Sequence, residues 1–202
     1  MTEDLRRAAE KHFEQGNRFD ENGHREAAIK EWEEAVHLDP EHAAAHYNLG
    51  IAYADEGEME LAVNALRQAI HLDPFDVEAR RELADIYLEL DQSDEAINQL
   101  RQALNITPSD AETAHLLAQA YLDQGKWDEA AGALESGGML EEDADLWQEL
   151  ASAYTRENRS EDAILAYRRA LVCQPEHRAA AQALRDLNVP LEEPPDPSDD
   201  QV

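Results

Sequence analysis

The stretch that decides the fold is residues 43–76, AAAHYNLGIAYADEGEMELAVNALRQAIHLDPFD. One aromatic position in this stretch recurs through the chain at intervals of 34, 34, 34 and 33 residues, as Phe19, Tyr53, Tyr87, Tyr121 and Tyr154. A constant interval of this length is the signature of a repeat array, in which each unit packs on its neighbours. The sequence therefore predicts a scaffold assembled from one repeated unit.

Each unit is predicted to contain two helices. Small residues stand where the two helices would touch, at Gly50, Ala62 and Ala69. Large apolar residues lie one helical turn away from them, at Leu49, Tyr53, Leu66, Ile70 and Leu72. This spacing gives each helix an apolar stripe. A single short helix cannot bury such a stripe, so the pair is expected to stack on the next pair.

A turn is predicted between the two helices of each unit. Gly57 stands where a residue of left-handed backbone conformation would end the first helix. The positions in register with it are Gly23, Asp91, Gly125 and Asn158. Aspartate and asparagine are the residues other than glycine that best tolerate this conformation. All five positions therefore predict the same left-handed turn.

The junctions between units carry helix-start signals. Asp39-Pro40, Asp73-Pro74 and Thr107-Pro108 are interpreted as an N-cap residue followed by proline at the first helical position. Gln174-Pro175 keeps the proline with a weaker cap.

This pattern resembles the tetratricopeptide repeat, a helix–turn–helix unit. Leucine holds the seventh place in four units, whereas Gln15 departs from it in the first. Trp147 alone matches the tryptophan often found at the fourth place. Small residues hold the eighth, twentieth and twenty-seventh places: Gly16, Gly50, Ala84, Ala118 and Ala151; Ala28, Ala62, Ala96, Ala130 and Ala163; Ala35, Ala69, Ala103, Gly137 and Ala170.

The resemblance implies an all-α, right-handed α-solenoid of five helix pairs over residues 1–188. The expected repeats are residues 9–42, 43–76, 77–110, 111–143 and 144–177, followed by a capping helix over 178–188. The acidic segment 189–202 contains four prolines and is expected to be disordered.

The fourth repeat is one residue short, and its second helix is expected to stop early at Gly137-Gly138. One interpretation is a local adjustment of packing between repeats. The other is a hinge between repeats 1–4 and the rest of the chain, for which hydrogen exchange over residues 134–142 is the test.

The overall charge restricts the classes of partner. Acidic residues number 46 against 17 basic ones, a net charge of −29. Such a surface repels nucleic acid and anionic membranes and favours basic or neutral partners, although acidity also keeps a helical array soluble.

The single cysteine, Cys173, excludes an internal disulfide and is expected to be buried as an apolar residue. The first residues lack the apolar core of a signal peptide, so a cytoplasmic location is expected.

Neither catalysis nor a cofactor is predicted. The many carboxylates are not paired with a nucleophile, an orienting histidine or a glycine-rich phosphate loop. His42 and His46 have a spacing that can bind metal on one helix, with His37 shortly before them. His37 is also in register with His71, which favours a preference of the repeat position over a metal site.

A peptide groove is the predicted binding site, because in tetratricopeptide arrays the first helix of each pair lines the inner surface. By that resemblance the groove residues are Phe13, Asn17, Tyr47, Asn48, Ile51, Asp55, Glu78, Arg81, Glu82, Asp85, His115, Leu116 and Gln119. Apolar side chains flanked by carboxylates suit a peptide that carries lysine or arginine among apolar anchors. The alternative is that these residues merely solvate an unused face.

One subclass of the family grips the carboxylate end of chaperone peptides with a clamp of basic and amide side chains. Asn17 and Asn48 match its two asparagine positions, but Phe13, Glu78 and Glu82 hold its basic positions. Two acids in place of two cations would repel a carboxylate, so this subclass is rejected.

Three functions are compatible with these features of the sequence. The first is a non-enzymatic interaction scaffold or assembly adaptor for a basic or apolar peptide. The second is a structural subunit of a larger complex or homo-oligomer, held by its convex or edge surfaces. The third is a regulatory accessory to an enzyme.

Overall fold

The computed structural model describes residues 2–138 and 140–190 of the chain. Over these residues the fold consists of eleven α-helices without a strand, so the prediction of an all-α protein is confirmed. The helices are α1 (Glu3–Glu21), α2 (Arg25–Leu38), α3 (Ala43–Asp55), α4 (Met59–Leu72), α5 (Val77–Glu89), α6 (Ser93–Ile106), α7 (Ala111–Asp123), α8 (Trp127–Gly137), α9 (Asp143–Arg156), α10 (Ser160–Cys173) and α11 (Arg178–Asp186).

Consecutive helices pair as antiparallel hairpins: α1 with α2, α3 with α4, α5 with α6, α7 with α8, and α9 with α10. The chain divides into two compact units, which meet in sequence at Thr107 and Pro108. The first unit contains α1–α6 and the second contains α7–α11. The residues of the acidic segment beyond 190 lie outside the described part of the chain.

Close helix contact in the first unit depends on glycine at the eighth place of the repeat. A methyl group on Gly16 would lie 2.5 Å from the Trp32 ring, and one on Gly50 would lie 2.5 Å from the Leu66 side chain. Trp32 and Leu66 are both buried. The absence of a side chain at these two positions therefore lets a large residue of the second helix pack directly on the backbone of the first.

The turn inside each hairpin has the predicted left-handed conformation. The φ angles are +76° at Gly23, +80° at Gly57, +58° at Asp91, +68° at Gly125 and +60° at Asn158. The prediction that aspartate and asparagine replace glycine at this position is thus confirmed.

The predicted helix starts at the proline junctions are wrong by three residues. Asp39, Asp73 and Thr107 are C-caps of the preceding helices, and their backbone is extended or close to it. A residue that precedes proline is pushed out of the helical region, so the proline enters a turn instead of opening the next helix. The side chain oxygens of Asp39 and Asp73 accept hydrogen bonds from the backbone N–H groups of Glu41 and Phe75 within this turn.

The actual N-caps are His42, Asp76, Asp110 and His177. The aspartate oxygens accept from the N–H groups of Ala79 and Thr113. The histidines do the same through Nδ1, which accepts from Ala45 N in one case and from Ala180 N in the other. The sequence did not predict histidine as an N-cap, because the usual N-cap residues have short side chains that accept through oxygen, whereas histidine accepts through a ring nitrogen.

A buried arginine holds the turn that follows α4. Arg80 is only 7% exposed, and its guanidinium donates to the Pro74 carbonyl and to the side chain oxygens of Gln99 and Gln102. Burial lowers the pKa of Arg80 from its ordinary value, and Asp76 opposes that shift. The guanidinium thus ties this turn to α6 through neutral acceptors, while Phe75 at the tip of the turn remains 75% exposed.

The short helix α8 packs tightly at its end. It has 11 residues and ends at Gly137, where a methyl group would lie 2.0 Å from Ala114 Cβ of α7. Gly138 follows with φ +85°. The predicted early stop is confirmed: the helix ends where Gly138 takes a positive φ, a conformation that glycine adopts without steric cost.

Asp143 anchors the start of α9. Its carboxylate is 1% exposed, lies 2.6 Å from His115 Nδ1 and accepts from the backbone N–H of Leu140.

Cys173 is half-buried, and its thiol pKa is raised first by burial and then by Asp143. Within the described residues, no helix is both long enough and apolar enough to cross a membrane.

Candidate functional site

The first unit contains an open pocket of about 370 Å³ formed by α1, α2, α3 and α5. It brings together five of the groove residues predicted from the sequence with four that were not. The predicted residues are Asn17, Tyr47, Asn48, Ile51 and Glu82, and the additional ones are Asp20, Glu21, Arg25 and Trp32.

A hydrogen-bonded chain of side chains, here called the amide relay, links α1, α2 and α3 at the pocket through Asn17, Trp32 and Asn48. Asn17 Oδ1 accepts a hydrogen bond of 3.0 Å from Trp32 Nε1 and one of 2.9 Å from Asn48 Nδ2. These bonds orient both amides, because Trp32 is itself buried against the helical core. Among the described residues, neither the amino group of Asn17 nor the amide oxygen of Asn48 has a further partner. The amino group of Asn17 and the amide oxygen of Asn48 therefore remain available to a ligand.

The wall formed by α3 is partly apolar. Tyr47 and Ile51 are one helical turn apart and both are half-buried. The pKa of the Tyr47 phenol is raised first by burial and then by Glu82, Glu78 and Asp76, while Arg81 opposes the shift. The phenol consequently keeps its proton and can act as a hydrogen-bond donor.

The wall formed by α5 is strongly acidic. Burial raises the pKa of the Glu82 carboxyl above its usual range, and the neighbouring Asp85 and Glu78 raise it further. Arg81 opposes that shift and forms an ion pair with Glu78. The ionised form of Glu82 is thus disfavoured by its surroundings, and a bound cation would relieve that penalty.

The rim of the pocket includes an arginine held by two acids. Arg25 Nε lies 3.1 Å from Asp20 Oδ1, and Arg25 Nη1 lies 2.5 Å from Asp55 Oδ2. Asp55 was a predicted groove residue. Asp20 and Arg25 were not predicted, because Asp20 lies in the last turn of α1 and Arg25 is the first residue of α2. Trp32 was not predicted either. It occupies the repeat position that Leu66 holds in the next repeat, and each of them packs against a glycine. A tryptophan in place of this leucine is a sequence feature that could have indicated the larger side chain at the pocket.

Phe13, another predicted groove residue, packs on the core instead of lining the pocket. Its ring centroid lies 4.6 Å from that of His42, and it contacts the cluster around Trp32.

The remaining predicted groove residues lie on α7 in the second unit. His115 is held by Asp143, and Gln119 Nε2 donates to Asp123 Oδ1 over 3.2 Å. Leu116 is half-buried.

The histidines considered for metal binding have structural partners. His42 caps α3, and His46 Nε2 lies 3.0 Å from the Pro40 carbonyl oxygen. Over residues 2–138 and 140–190, no group of three or more potential ligands is arranged to hold a metal ion.

Repeated antiparallel helix pairs with left-handed turns define the chain as an α-solenoid repeat protein. Sequence profiles described as tetratricopeptide repeat match residues 13–63, 53–120, 94–143 and 146–179. The chain belongs to the tetratricopeptide repeat family, whose members are scaffolds for interactions between proteins. None of the curated proteins matches the sequence.

Solved structures show the same fold. A MamA structure is 20% identical with a TM-score of 0.69, over 92% of this chain and 98% of that one. YrrB, described as a TPR protein with an unusual peptide-binding site, is 21% identical with a TM-score of 0.68, over 86% of this chain and 90% of that one. The first TPR of Spaghetti (RPAP3), bound to the HSP90 peptide SRMEEVD, is 19% identical with a TM-score of 0.56, over 59% of this chain and 94% of that one.

Proposed function

We propose that the chain is a non-enzymatic interaction scaffold or assembly adaptor that binds an extended segment of another protein in the pocket of its first unit. The observation that carries this proposal is the combination, in one open cavity, of an oriented amide pair, a partly apolar wall and an acidic wall. The segment that fits such a site carries basic residues among apolar ones.

Each wall has a distinct role in recognition. The free donor of Asn17 and the free acceptor of Asn48 match the carbonyl and N–H groups of an extended backbone. Tyr47 and Ile51 offer apolar contact area. The field around Glu82 attracts cations and rejects anions, so it supplies most of the charge selectivity.

The related structures support peptide binding as a use of this fold. The YrrB description names a peptide-binding site, and the Spaghetti domain holds a peptide with two consecutive glutamates near an aspartate end. In this chain Glu78 and Glu82 would repel such a peptide. The proposed partner therefore has the opposite charge.

A charge-reversal experiment tests the proposal. Peptides are selected from a displayed random library with the purified chain, and their affinities are measured by fluorescence anisotropy. Replacing Glu78, Glu82 and Asp85 with lysine is expected to weaken the selected peptides at least tenfold, because three attractive charges become repulsive. The matched control replaces the exposed Glu34, Glu89 and Glu149 with lysine.

The control variant has the same change in net charge but leaves the pocket intact. Equal loss of affinity in both variants would show a general charge effect, and no loss in the groove variant would rule the site out. Circular dichroism of both variants verifies that the helices are retained.

A second candidate function is that of a structural subunit, and the second unit favours it. On α10, Leu165 is 52% exposed and Val172 is 65% exposed, and their spacing of seven residues places them on one face. Large apolar side chains exposed together are typical of an interface. Under this proposal, replacing both with aspartate converts an assembled species into a smaller one in sedimentation velocity, with peptide affinity unchanged.

A further inference from the structure

We infer that the pocket of the first unit holds the guanidinium of an arginine side chain, and that Glu82 and Tyr47 select arginine over lysine. This inference rests on the proposed function and specifies which basic residue the bound segment carries. Three features of the pocket support it: the acceptors that remain free, the negative charge of the lining and the aromatic wall.

The lining has an excess of negative charge. Three carboxylates, Asp20, Glu21 and Glu82, face one guanidinium, that of Arg25. Arg25 is already engaged by Asp20 and by Asp55, at 3.1 Å and 2.5 Å. The charge of Arg25 is therefore already balanced at the rim. The cation that lowers the pKa of Glu82 is Arg81, which is itself paired with Glu78.

The free acceptors in the pocket suit the planar guanidinium group. The Glu82 carboxylate forms neither a hydrogen bond nor an ion pair with any described residue. The amide oxygen of Asn48 is also unpartnered within that part of the chain, because its amino group is the one that bonds Asn17. A guanidinium has five N–H donors in one plane and can reach several acceptors at once.

The aromatic wall discriminates between the two cations. Tyr47 lines the same cavity as Glu82, and after burial the Glu82 carboxylate is the largest cause of the raised pKa of the Tyr47 phenol. A guanidinium stacks on an aromatic face and is weakly hydrated, so it loses little on entering a half-enclosed pocket. An ammonium is strongly hydrated and compact, and it cannot span separate acceptors. The cavity of about 370 Å³ leaves room for the arginine side chain.

The test uses small probes and the full chain. Nα-acetyl-arginine amide, Nα-acetyl-lysine amide and the neutral isostere Nα-acetyl-citrulline amide are titrated into ¹⁵N-labelled protein. The side chain amide signals of Asn17 and Asn48 and the indole N–H signal of Trp32 report occupancy, because these groups form the relay at the pocket. The arginine probe is expected to shift all three signals saturably.

The arginine probe is expected to bind about tenfold more tightly than the lysine probe, because its guanidinium both stacks on Tyr47 and donates to several acceptors. The citrulline probe is expected to give no saturable shift. Glu82→Gln and Tyr47→Leu should each remove most of the selectivity, whereas the exposed Glu34→Gln control should leave it unchanged.

Equal affinity for lysine, absence of a saturable shift with arginine, or full selectivity in the Glu82→Gln variant would each overturn the inference. These outcomes differ from failure of the proposed function. If library peptides bind in the groove and are lost on charge reversal but show no preference for arginine, only the present inference fails. If charge reversal leaves peptide affinity unchanged, the groove itself is not the binding site.

Discussion

At the scale of single residues, packing between paired helices depends on positions that lack bulk. Gly50 brings Leu66 against the backbone of α3, and Gly16 does the same for Trp32 against α1. Gly132 in α8 differs from them, because nothing lies within 4 Å of the place where its methyl group would be. Glycine is therefore required for close approach at the first two positions but not at the third.

Gly50→Ala is predicted to destabilise the protein by about 1–3 kcal/mol, because Leu66 must move out of a packed core. The control Gly132→Ala is predicted to stabilise it by about 0.5–1 kcal/mol through lower entropy of the unfolded chain. Urea unfolding followed by circular dichroism measures both. A neutral Gly50 substitution would contradict the close packing described for α3 and α4.

The Glu82 carboxyl makes stability depend on pH. Because its pKa in the folded protein is raised above the ordinary value, the protonated form is favoured by folding. Its stabilising effect is present below the ordinary glutamate pKa and is lost as the pH rises through the raised value.

Glu82→Gln is therefore predicted to stabilise the protein at pH 7, by about 0.5 kcal/mol after allowance for solvent screening. The gain should vanish near pH 4, where the wild-type carboxyl is protonated. Urea unfolding at both pH values measures the difference, with Glu34→Gln as the exposed control. A gain of equal size at both pH values would contradict this account of Glu82.

At the scale of elements, the junction between α8 and α9 is held by one buried carboxylate. Asp143 bonds the His115 ring on α7 and the Leu140 backbone N–H, and Gly137 packs directly on α7. These contacts favour the interpretation of Gly137-Gly138 as a local packing adjustment. The hinge remains the competing hypothesis.

Asp143→Ala is predicted to destabilise the second unit by about 2 kcal/mol, because two hydrogen bonds to a buried carboxylate are lost. The Leu140 amide should then exchange faster with solvent, whereas the exposed Glu149→Ala control on α9 should leave it unchanged. Amide hydrogen exchange measures this effect. In the wild-type chain, exchange over 134–138 much faster than in the other second helices would favour the hinge instead.

At the scale of the whole molecule, the net charge of −29 opposes both folding and the approach of anions. Exposed charges are screened beyond roughly 10 Å at about 0.1 M salt. Salt therefore has opposite effects on stability and on the proposed binding, because it weakens repulsion within the chain and attraction to a basic partner.

Raising NaCl from about 20 mM to about 500 mM is predicted to increase the melting temperature by a few degrees and to weaken a selected basic peptide at least tenfold. Thermal unfolding and fluorescence anisotropy measure the two effects. The triple lysine variant at Glu34, Glu89 and Glu149 has a smaller net charge, so its melting temperature should respond less to salt. Peptide affinity independent of salt would argue against the acidic wall as the binding determinant.

The amino-acid sequence by itself determined the repeat, the helix pairs and the left-handed turns. These features follow from local physics that recurs every 33 or 34 residues, such as the conformational tolerance of Gly57 and Asp91. The resemblance to the family also predicted Asn17, Tyr47, Asn48, Ile51 and Glu82 as groove residues, and these five side chains line the pocket of the first unit. Their role in binding stays a prediction. The cytoplasmic location, the repeat boundaries and the disorder of the acidic segment stay predictions.

Only the tertiary structure decided which side chains meet. Trp32 and Arg25 line the pocket from the second helix. Trp32 packs there because Gly16 leaves room for its ring on the backbone of α1, and Arg25 is held by Asp20 and Asp55. His115 is directed to Asp143, 28 residues away. Helix α5 begins at Val77, after the N-cap Asp76, because Pro74 imposes a turn first. Such contacts join residues distant in sequence or depend on backbone geometry, and a periodic pattern of residue types contains no information about either.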